Sequence, residues 1–160
     1  MKKLILSLLV AAFVGGNTLS AQTITKNEDG KYSLSVGHVT LTVDAQKGGK
    51  IVSYRYDDKE ILSQTKIPNS FGSTFWTSPQ SEWNWPPVPE YDTKPFNAEV
   101  AGDKLILTGE KSKRFGYRVR KELTTDKKDN AIVITYTIIN ESGETRKVAP
   151  WEISRVPNGG

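Results

Sequence analysis

Tryptophan residues offer the clearest chemistry in this 160-residue sequence. Three of the four, Trp76, Trp83 and Trp85, fall within residues 71–91, and Gln80 lies among them. An indole ring can stack on the apolar C–H face of a sugar while amide and carboxylate groups bond the sugar's hydroxyls. The cluster therefore predicts either a carbohydrate site or a group of rings that closes one end of the fold.

A second set of candidates lies at residues 151–155, which read Trp-Glu-Ile-Ser-Arg. In an extended strand Trp151 and Arg155 share one side, while Glu152 points to the other. Glu152 is a candidate catalytic acid or base, or an acceptor for sugar hydroxyls, and Arg155 is a candidate polar partner of the ligand. The alternative is that the two charges form an ordinary surface ion pair.

Other kinds of site lack the residues that they need. His38 is the single histidine and the chain has no cysteine, which limits two-histidine metal sites and histidine-relay catalysis. Asp57 and Asp58 fall in a predicted turn, where carboxylates are usually solvated, and calcium needs several more oxygen ligands. No glycine-rich phosphate loop opens a helix, and the lysines and arginines are interspersed with acids, so neither nucleotide nor nucleic-acid binding is indicated. We predict no metal and no cofactor.

Prolines decide how residues 71–91 are interpreted. Pro79, Pro86, Pro87 and Pro89 each remove a backbone donor and fix φ, so neither a helix nor a central strand is expected to run through the segment. The sequence therefore predicts a loop throughout this stretch, and that loop has to hold the aromatic cluster in place.

Two-residue alternation of apolar and polar side chains marks most of the remaining chain. It predicts strands near residues 32–36, 39–43, 50–56, 60–63, 98–100, 104–108, 117–123, 131–140 and 146–156. Apolar side chains on both sides of residues 131–140 favour a central strand covered on both faces. Pro150 makes the last element an edge strand, a bulged strand or two pieces. With no helical periodicity, we predict an all-β antiparallel β-sandwich, a single domain over residues 22–160.

Residues 1–21 have the pattern of a secretory signal peptide. Lys2 and Lys3 precede an apolar run over residues 4–14, and a short polar stretch ends at Ala21. The run is too short to span a bilayer. We therefore predict an exported bacterial protein, periplasmic or extracellular, with no membrane contact after cleavage behind Ala21 or Ser20.

Three stretches together resemble a known family. Residues 48–54 (GGKIVSY), 71–87 (FGSTFWTSPQSEWNWPP) and 149–156 (APWEISRV) are similar to an uncharacterised family of exported bacterial proteins, itself similar to the galactose mutarotase (aldose 1-epimerase) superfamily. The resemblance implies a β-supersandwich with a sugar-sized cleft on one face. It also implies that this chain holds about the first half of such a domain, truncated at its C-terminal end.

The catalytic residues of that superfamily have no clear counterparts in this sequence. Aldose epimerases use a histidine acid on a mid-domain strand and a late glutamate base. His38 lies too early in the chain to match, and the strand at residues 148–155 offers Glu152 and Arg155 instead. The resemblance thus implies sugar binding, whereas it gives little support to mutarotation by the familiar chemistry.

An exported carbohydrate-binding domain is the leading functional hypothesis from the sequence. Its expected ligand contacts are Trp76, Gln80, Trp83, Trp85 and Arg155. Two alternatives stay open at this point. One is a sugar-modifying enzyme, epimerase-like or accessory to a lyase or hydrolase, with Glu152 as acid or base. The other is a structural accessory module that binds another protein.

Overall fold

A computed structural model describes residues 23–65 and 71–158, and the signal-peptide prediction lies outside these ranges. The strands are β1 (Ile24–Lys26), β2 (Tyr32–Val36), β3 (Val39–Asp44), β4 (Lys50–Tyr56), β5 (Lys59–Glu60), β6 (Ser73–Ser78), β7 (Asn97–Ala101), β8 (Lys104–Thr108), β9 (Tyr117–Asp126), β10 (Ala131–Asn140) and β11 (Ala149–Ser154). The one α-helix, α1, is Pro89–Asp92, and a 3-10 turn spans Gln80–Glu82 in the described part of the chain. No helix among these residues is long and apolar enough to cross a membrane.

The strands form two antiparallel sheets that pack as a sandwich, which confirms the predicted fold class. The first sheet has the order β1-β2-β3-β4-β6-β11, with β5 beside β4, and the second has the order β10-β9-β8-β7. Strands adjacent in sequence mostly pair because short turns join them. The chain crosses from the first sheet to the second through residues 79–96, the segment that contains two of the tryptophans.

Alternation along β9 builds the centre of the core. Tyr117, Val119 and Leu123 are buried together with Lys121, whereas the residues that alternate with them are partly exposed. The three apolar side chains belong to one cluster with inward side chains of the first sheet, including Leu34, Leu41, Val43 and Phe75. Burying an aliphatic or aromatic side chain contributes roughly 1.5–3 kcal/mol. The core therefore lies between the sheets and depends on the alternation read from the sequence.

The loop predicted for residues 71–91 is wrong over its first part. Ser73–Ser78 forms β6, which lies inside the first sheet between β4 and β11. The first proline, Pro79, comes only after β6, so this strand keeps all its backbone donors and is rich in β-branched and aromatic residues. Beyond Pro79 the segment is irregular apart from the 3-10 turn and α1. That helix begins at Pro89, a position where proline is tolerated.

The central strand predicted at residues 131–140 is also wrong in the part of the chain that the structure describes. β10 pairs only with β9 and lies at the edge of the second sheet. Its outward residues Val133, Thr135 and Thr137 are exposed. β-branched residues favour an extended backbone whether or not they are covered, so their presence on both sides did not require burial on both sides.

β11 is an edge strand within the described residues, which confirms one of the three alternatives for the segment that contains Pro150. It pairs with β6 in unbroken register along its whole length. Since no bulge interrupts the pairing, side chains alternate regularly between the two sides of β11. This regularity decides where the candidate site residues of β11 point.

Candidate functional site

β6 and β11 place two tryptophans side by side. Trp151 lies directly opposite Trp76 in the antiparallel register, and directly opposite residues share one side of a sheet. Phe75 points to the other side, where its ring stacks on Tyr136 of the second sheet with the centroids 5.1 Å apart. Trp76 and Trp151 therefore lie on the side of β6 that is turned away from the second sheet.

Trp76 is the centre of the aromatic cluster. Its ring meets those of Trp83, Trp85 and Trp151 edge to face, with centroids 5.7, 5.9 and 5.6 Å away. The indole Nε1–H of Trp76 donates to Asp92 Oδ1 at 2.9 Å, so the end of α1 fixes the orientation of this ring. Each edge-to-face contact is worth about 0.5–1.5 kcal/mol. The four rings therefore support one another.

The two tryptophans of the Trp-Asn-Trp segment have different surroundings. Trp83 is buried in the core, and its Nε1–H donates to the carbonyl oxygen of Thr77 at 2.8 Å. Asn84 has a positive φ of 58°, so the segment is not extended and Trp85 does not follow Trp83 into the core. The structure thus places Trp83, predicted as a ligand contact, where it closes the fold.

Trp76, Trp85 and Trp151 form the accessible part of the cluster, called the tryptophan surface below. Trp85 is 70% exposed and Trp151 is 37% exposed, while the half-buried Trp76 contacts both. Trp151 is absent from the predicted ligand contacts, although the alternation along the strand placed it on the same side as the predicted contact Arg155. The structure therefore brings together two of the three predicted tryptophans and adds a third that the sequence interpretation missed.

The β8–β9 connection and the start of β9 brace the segment that carries Trp83 and Trp85. The guanidinium of Arg114 donates to the carbonyl oxygens of Glu82 and Trp83 at 3.3 and 3.5 Å. The hydroxyl of Tyr117 donates to Glu82 Oε1 at 3.3 Å. These bonds tie the 3-10 turn to the core, so the rings are held in place before any ligand arrives.

Gln80 lies at one end of the tryptophan surface. It is exposed at the start of the 3-10 turn, and with Ser81, Pro150 and Trp151 it lines an open depression of about 460 Å³. Its side-chain amide offers both hydrogen-bond donors and an acceptor. Gln80, a predicted ligand contact, therefore lies near the tryptophan surface because it shares this depression with Trp151. Trp151 itself was not among the predicted contacts.

Arg155 follows β11 and lies next to Trp76. Its Cζ is 6.0 Å from the centroid of the Trp76 ring, and its Nη1 donates to Thr74 Oγ1 at 3.2 Å. Thr74 and Trp76 share one side of β6 because they are two residues apart. The structure thus places the predicted polar residue Arg155 beside the tryptophan surface.

A second depression, of about 320 Å³, is lined by Lys47, Lys50, Phe71, Asp92 and Thr93; it is called the basic depression below. Lys50 is only 4% exposed, and its Nζ is 4.0 Å from the centroid of the Phe71 ring. Burial lowers the pKa of Lys50, and the positive charge of Arg155 lowers it further. Asp92 links this depression to the tryptophan surface because it also accepts the hydrogen bond from the indole of Trp76.

Gly48 explains how Lys50 and Asp92 come together. A Cβ atom on Gly48 would lie 2.3 Å from the backbone oxygen of Asp92, and the residue has a φ of +64°. Only glycine accepts both the contact and the backbone conformation. The sequence interpretation missed Lys50 and Asp92 because this close approach joins parts of the chain that are distant in sequence.

Glu152 lies on the opposite side of β11 from Trp151 and Arg155. The hydroxyl of Ser73 donates to Glu152 Oε1, while Oε2 has no hydrogen-bond partner among the described residues. Burial raises the pKa of Tyr136, and the negative charge of Glu152 raises it further. The candidate catalytic residue therefore faces the second sheet, apart from the tryptophan surface.

Lys121 is a buried cation in the inward row of β9. Its Nζ donates to the carbonyl oxygens of Gly48 and Gly49 at 3.0 and 2.9 Å, and the rings of Phe75, Phe96 and Tyr136 surround it at 5.4–5.8 Å. Burial lowers the pKa of Lys121 to about 8. Lys121 therefore holds the Gly-Gly turn that precedes Lys50.

His38 lies in the exposed turn between β2 and β3. Its Nδ1 is 2.6 Å from Asp57 Oδ1, and both side chains are mostly in water. Residues 23–65 and 71–158 contain no group of three or more histidine, cysteine, aspartate or glutamate side chains arranged to hold a metal ion.

Comparison with known proteins gives one structural likeness. No protein-family model matches the chain, and no curated protein matches it significantly. Among solved structures, a 4-alpha-glucanotransferase from Thermococcus litoralis superposes with a TM-score of 0.44 and 15% sequence identity. The match covers 71% of this chain but only 23% of that protein. A likeness of this size supports no inference about function.

Proposed function

We propose that this chain is an exported carbohydrate-binding domain of galactose-mutarotase-like type, and that the tryptophan surface is its binding site. The accessible indole rings carry the proposal. Trp85 and Trp151 keep large apolar areas in water although both contact Trp76. Exposed aromatic patches on a folded domain mark interaction sites, and an indole suits the C–H face of a pyranose.

Polar groups flank the rings as a sugar ligand requires. The amide of Gln80 lies at one end and the guanidinium of Arg155 lies beside Trp76, so both can bond hydroxyl groups of a sugar stacked on the indoles. From Ser78 to Thr74 β6 extends about 13 Å. This length fits a short oligosaccharide better than a single sugar ring.

The site is held in its binding geometry before the ligand arrives. Asp92 fixes the Trp76 ring from one side, and the buried Trp83 supports it from the core. Binding then orders few side chains, which keeps the entropic cost low. In this proposal Trp83 supports the site without contacting the ligand.

Glu152 has no role in the proposed binding because it faces the second sheet and its Oε1 accepts a bond from Ser73. Because Glu152 lies apart from the tryptophan surface, its position does not favour the enzymatic alternative. The accessory-module alternative uses the same exposed rings, so the experiment has to separate a sugar ligand from a protein ligand.

A titration of the mature protein with mono- and oligosaccharides tests the proposal. We expect a shift in tryptophan fluorescence that saturates, and roughly tenfold weaker binding, about 1.4 kcal/mol, for Trp85→Ala and for Trp151→Ala. Tyr56→Ala removes another exposed aromatic, which stacks on His38, and is expected to bind as the parent does. No response at millimolar sugar overturns the proposal, and association with a protein partner that depends on Trp85 supports the accessory module.

A further inference from the structure

Lys50 holds its ammonium group in an unfavourable place. The residue is 96% buried, yet Nζ lies against Phe71 in the wall of the basic depression. None of the ion pairs among the described residues includes Lys50. Burial of the side chain removes part of the hydration of this cation, and that loss costs free energy unless an anion or hydrogen-bond acceptors compensate it.

Arg155 is a second cation on the same side of the sheet. Ile51 lies opposite Ser73, and Ser73 lies opposite Ser154, so these three residues share the inward side. Lys50 precedes Ile51 and Arg155 follows Ser154. The side chains of both cations therefore point to the opposite side of the sheet, the side of the tryptophan surface. Arg155 also takes part in no ion pair among the described residues.

Asp92 does not neutralise this pair of cations. Its negative charge raises the pKa of Lys50, but burial and the charge of Arg155 both act more strongly and lower it. One carboxylate oxygen of Asp92 already accepts the Nε1–H of Trp76. Positive charge therefore remains in excess beside the tryptophan surface.

We propose that the sugar bound at the tryptophan surface carries an anionic substituent, a uronic-acid carboxylate or a sulfate ester, and that this group lies between Lys50 and Arg155. The inference rests on the proposed function and names the class of its ligand. A guanidinium binds two oxygens of such a group in parallel, and an ammonium adds a compact positive charge. The anion relieves the repulsion between the two cations, and this relief adds to the binding affinity.

The spacing suits a substituent on a sugar bound beside Trp76. Arg155 Cζ lies over the Trp76 indole, 6.0 Å from its centroid, and Asp92 connects that indole to the basic depression. A pyranose on the accessible rings next to Trp76 therefore has the guanidinium beside it, where a C5 carboxylate or a sulfated hydroxyl projects. Neutral sugars gain the stacking but not this charge interaction.

Calorimetric titration of the mature protein with matched trisaccharides tests the inference. The probes are a galacturonic acid trimer, its methyl ester, a galactose trimer and a sulfated galactose trimer. We expect at least one acidic trimer to bind about tenfold or more tightly than its neutral counterpart, with an advantage that shrinks as salt is added. The better acidic trimer identifies which anionic group the site takes.

Arg155→Gln and Lys50→Met locate the effect. Each is expected to remove most of the advantage of the acidic trimer. Lys50→Met is expected to leave the affinity for the neutral trimer within about twofold, whereas Arg155→Gln weakens both trimers because Arg155 also bonds sugar hydroxyls, and it weakens the acidic trimer more. Arg120→Gln removes a half-exposed arginine of the second sheet, paired with Glu122, and is the matched control. Thermal melts check folding, and if Lys50→Met does not fold, the half-buried Arg155→Gln decides alone.

The possible failures are distinguishable. Equal affinity for acidic and neutral trimers overturns the anionic-ligand inference and leaves the proposed function in place. A preference for acidic trimers that persists in Arg155→Gln also overturns the inference, because the anionic group must then bind at another place on the protein. If no sugar of the titration panel or of this set binds, the proposed function fails and this inference fails with it.

Discussion

The two sides of β6 use aromatic residues in opposite ways. Phe75 is buried against Tyr136 between the sheets, whereas the next residue, Trp76, contacts rings that remain in water. Burial of the first ring stabilises the fold by removing apolar area from water. The accessible rings around Trp76 keep much of their apolar area in water. A ligand that covers this area would therefore be stabilised by the same effect.

Charged groups show the same contrast between the two sides. Inside the sandwich, Lys121 has two backbone acceptors and the negative charge of Glu152 nearby. On the other side, Lys50 and Arg155 have no carboxylate partner within 4.0 Å among the described residues. The inner side supplies acceptors for its cation, although Glu152 Oε2 has no hydrogen-bond partner among the described residues. The outer side leaves both aromatic area and positive charge uncompensated, and that difference is the physical basis for the proposed binding site on the outer side.

Truncating one ring on each side tests the comparison with the largest expected effect. Phe75→Ala is expected to lower the free energy of unfolding by about 3–5 kcal/mol, because it leaves a cavity in the core. Trp151→Ala is expected to cost less, about 1–2 kcal/mol, because its ring keeps part of its area in water and loses one edge-to-face contact. Urea unfolding measures both, and similar losses in the two variants would show that the outer rings are part of the core.

Gly48→Ala tests how the outer side is assembled. The variant is expected to lose about 2–3 kcal/mol, because alanine is strained at this positive φ and its Cβ meets the backbone of Asp92. Gly102→Ala provides the control, since that glycine also has a positive φ but nothing within 4 Å of an added Cβ. Equal losses in the two variants would mean that the contact with Asp92 contributes nothing.

Lys121 gives the inner side a pH dependence that can be measured. Burial lowers its folded-state pKa from 10.5 to about 8, so between these values the unfolded chain binds the proton and the folded chain does not. Stability from this group is therefore lowest below pH 8 and rises by about 2 kcal/mol between pH 8 and pH 10.

Urea unfolding of the parent and of Lys121→Met checks this rise. The parent is expected to gain stability over that interval relative to the variant, which lacks the titrating amine. Measurement stops at pH 10, above which exposed and unfolded tyrosines ionise. Parallel curves for the two proteins contradict the assignment.

Asp92→Ala tests the smallest effect, the orientation of Trp76. Loss of the bond from the indole Nε1–H is expected to cost about 1 kcal/mol of stability and to weaken sugar binding, because the central ring loses its support. Asp92→Asn keeps an oxygen acceptor and serves as the conservative comparison. A stability loss with unchanged sugar affinity limits Asp92 to a structural role.

Strand positions were predictable because alternation reports which side faces the core. β8 matches the predicted residues 104–108, and the opposite orientations of Glu152 and Arg155 follow from the same two-residue period. The failure at β6 came from treating Pro79 as if it interrupted residues before it. The failure at β10 came from taking β-branched residues on both sides as a sign of burial on both sides.

The candidate site was only partly predictable, because tertiary contacts decide it. Trp76 and Arg155 do come together, but the positive φ of Asn84 sends Trp83 into the core and leaves Trp85 outside. Lys50 joins the site only through the close contact of Gly48 with α1. No local sequence pattern encodes contacts of this kind.

The indole N–H signals of the four tryptophans offer the most direct test that the outer side binds sugar. In nitrogen-15 NMR spectra recorded as an acidic oligosaccharide is added to the protein, each ring gives a separate signal. We expect the signals of Trp85, Trp151 and Trp76 to move with a common saturating curve, while that of the buried Trp83 moves least. Unchanged Trp85 and Trp151 signals at saturating ligand, or a shift confined to Trp83, would contradict the account.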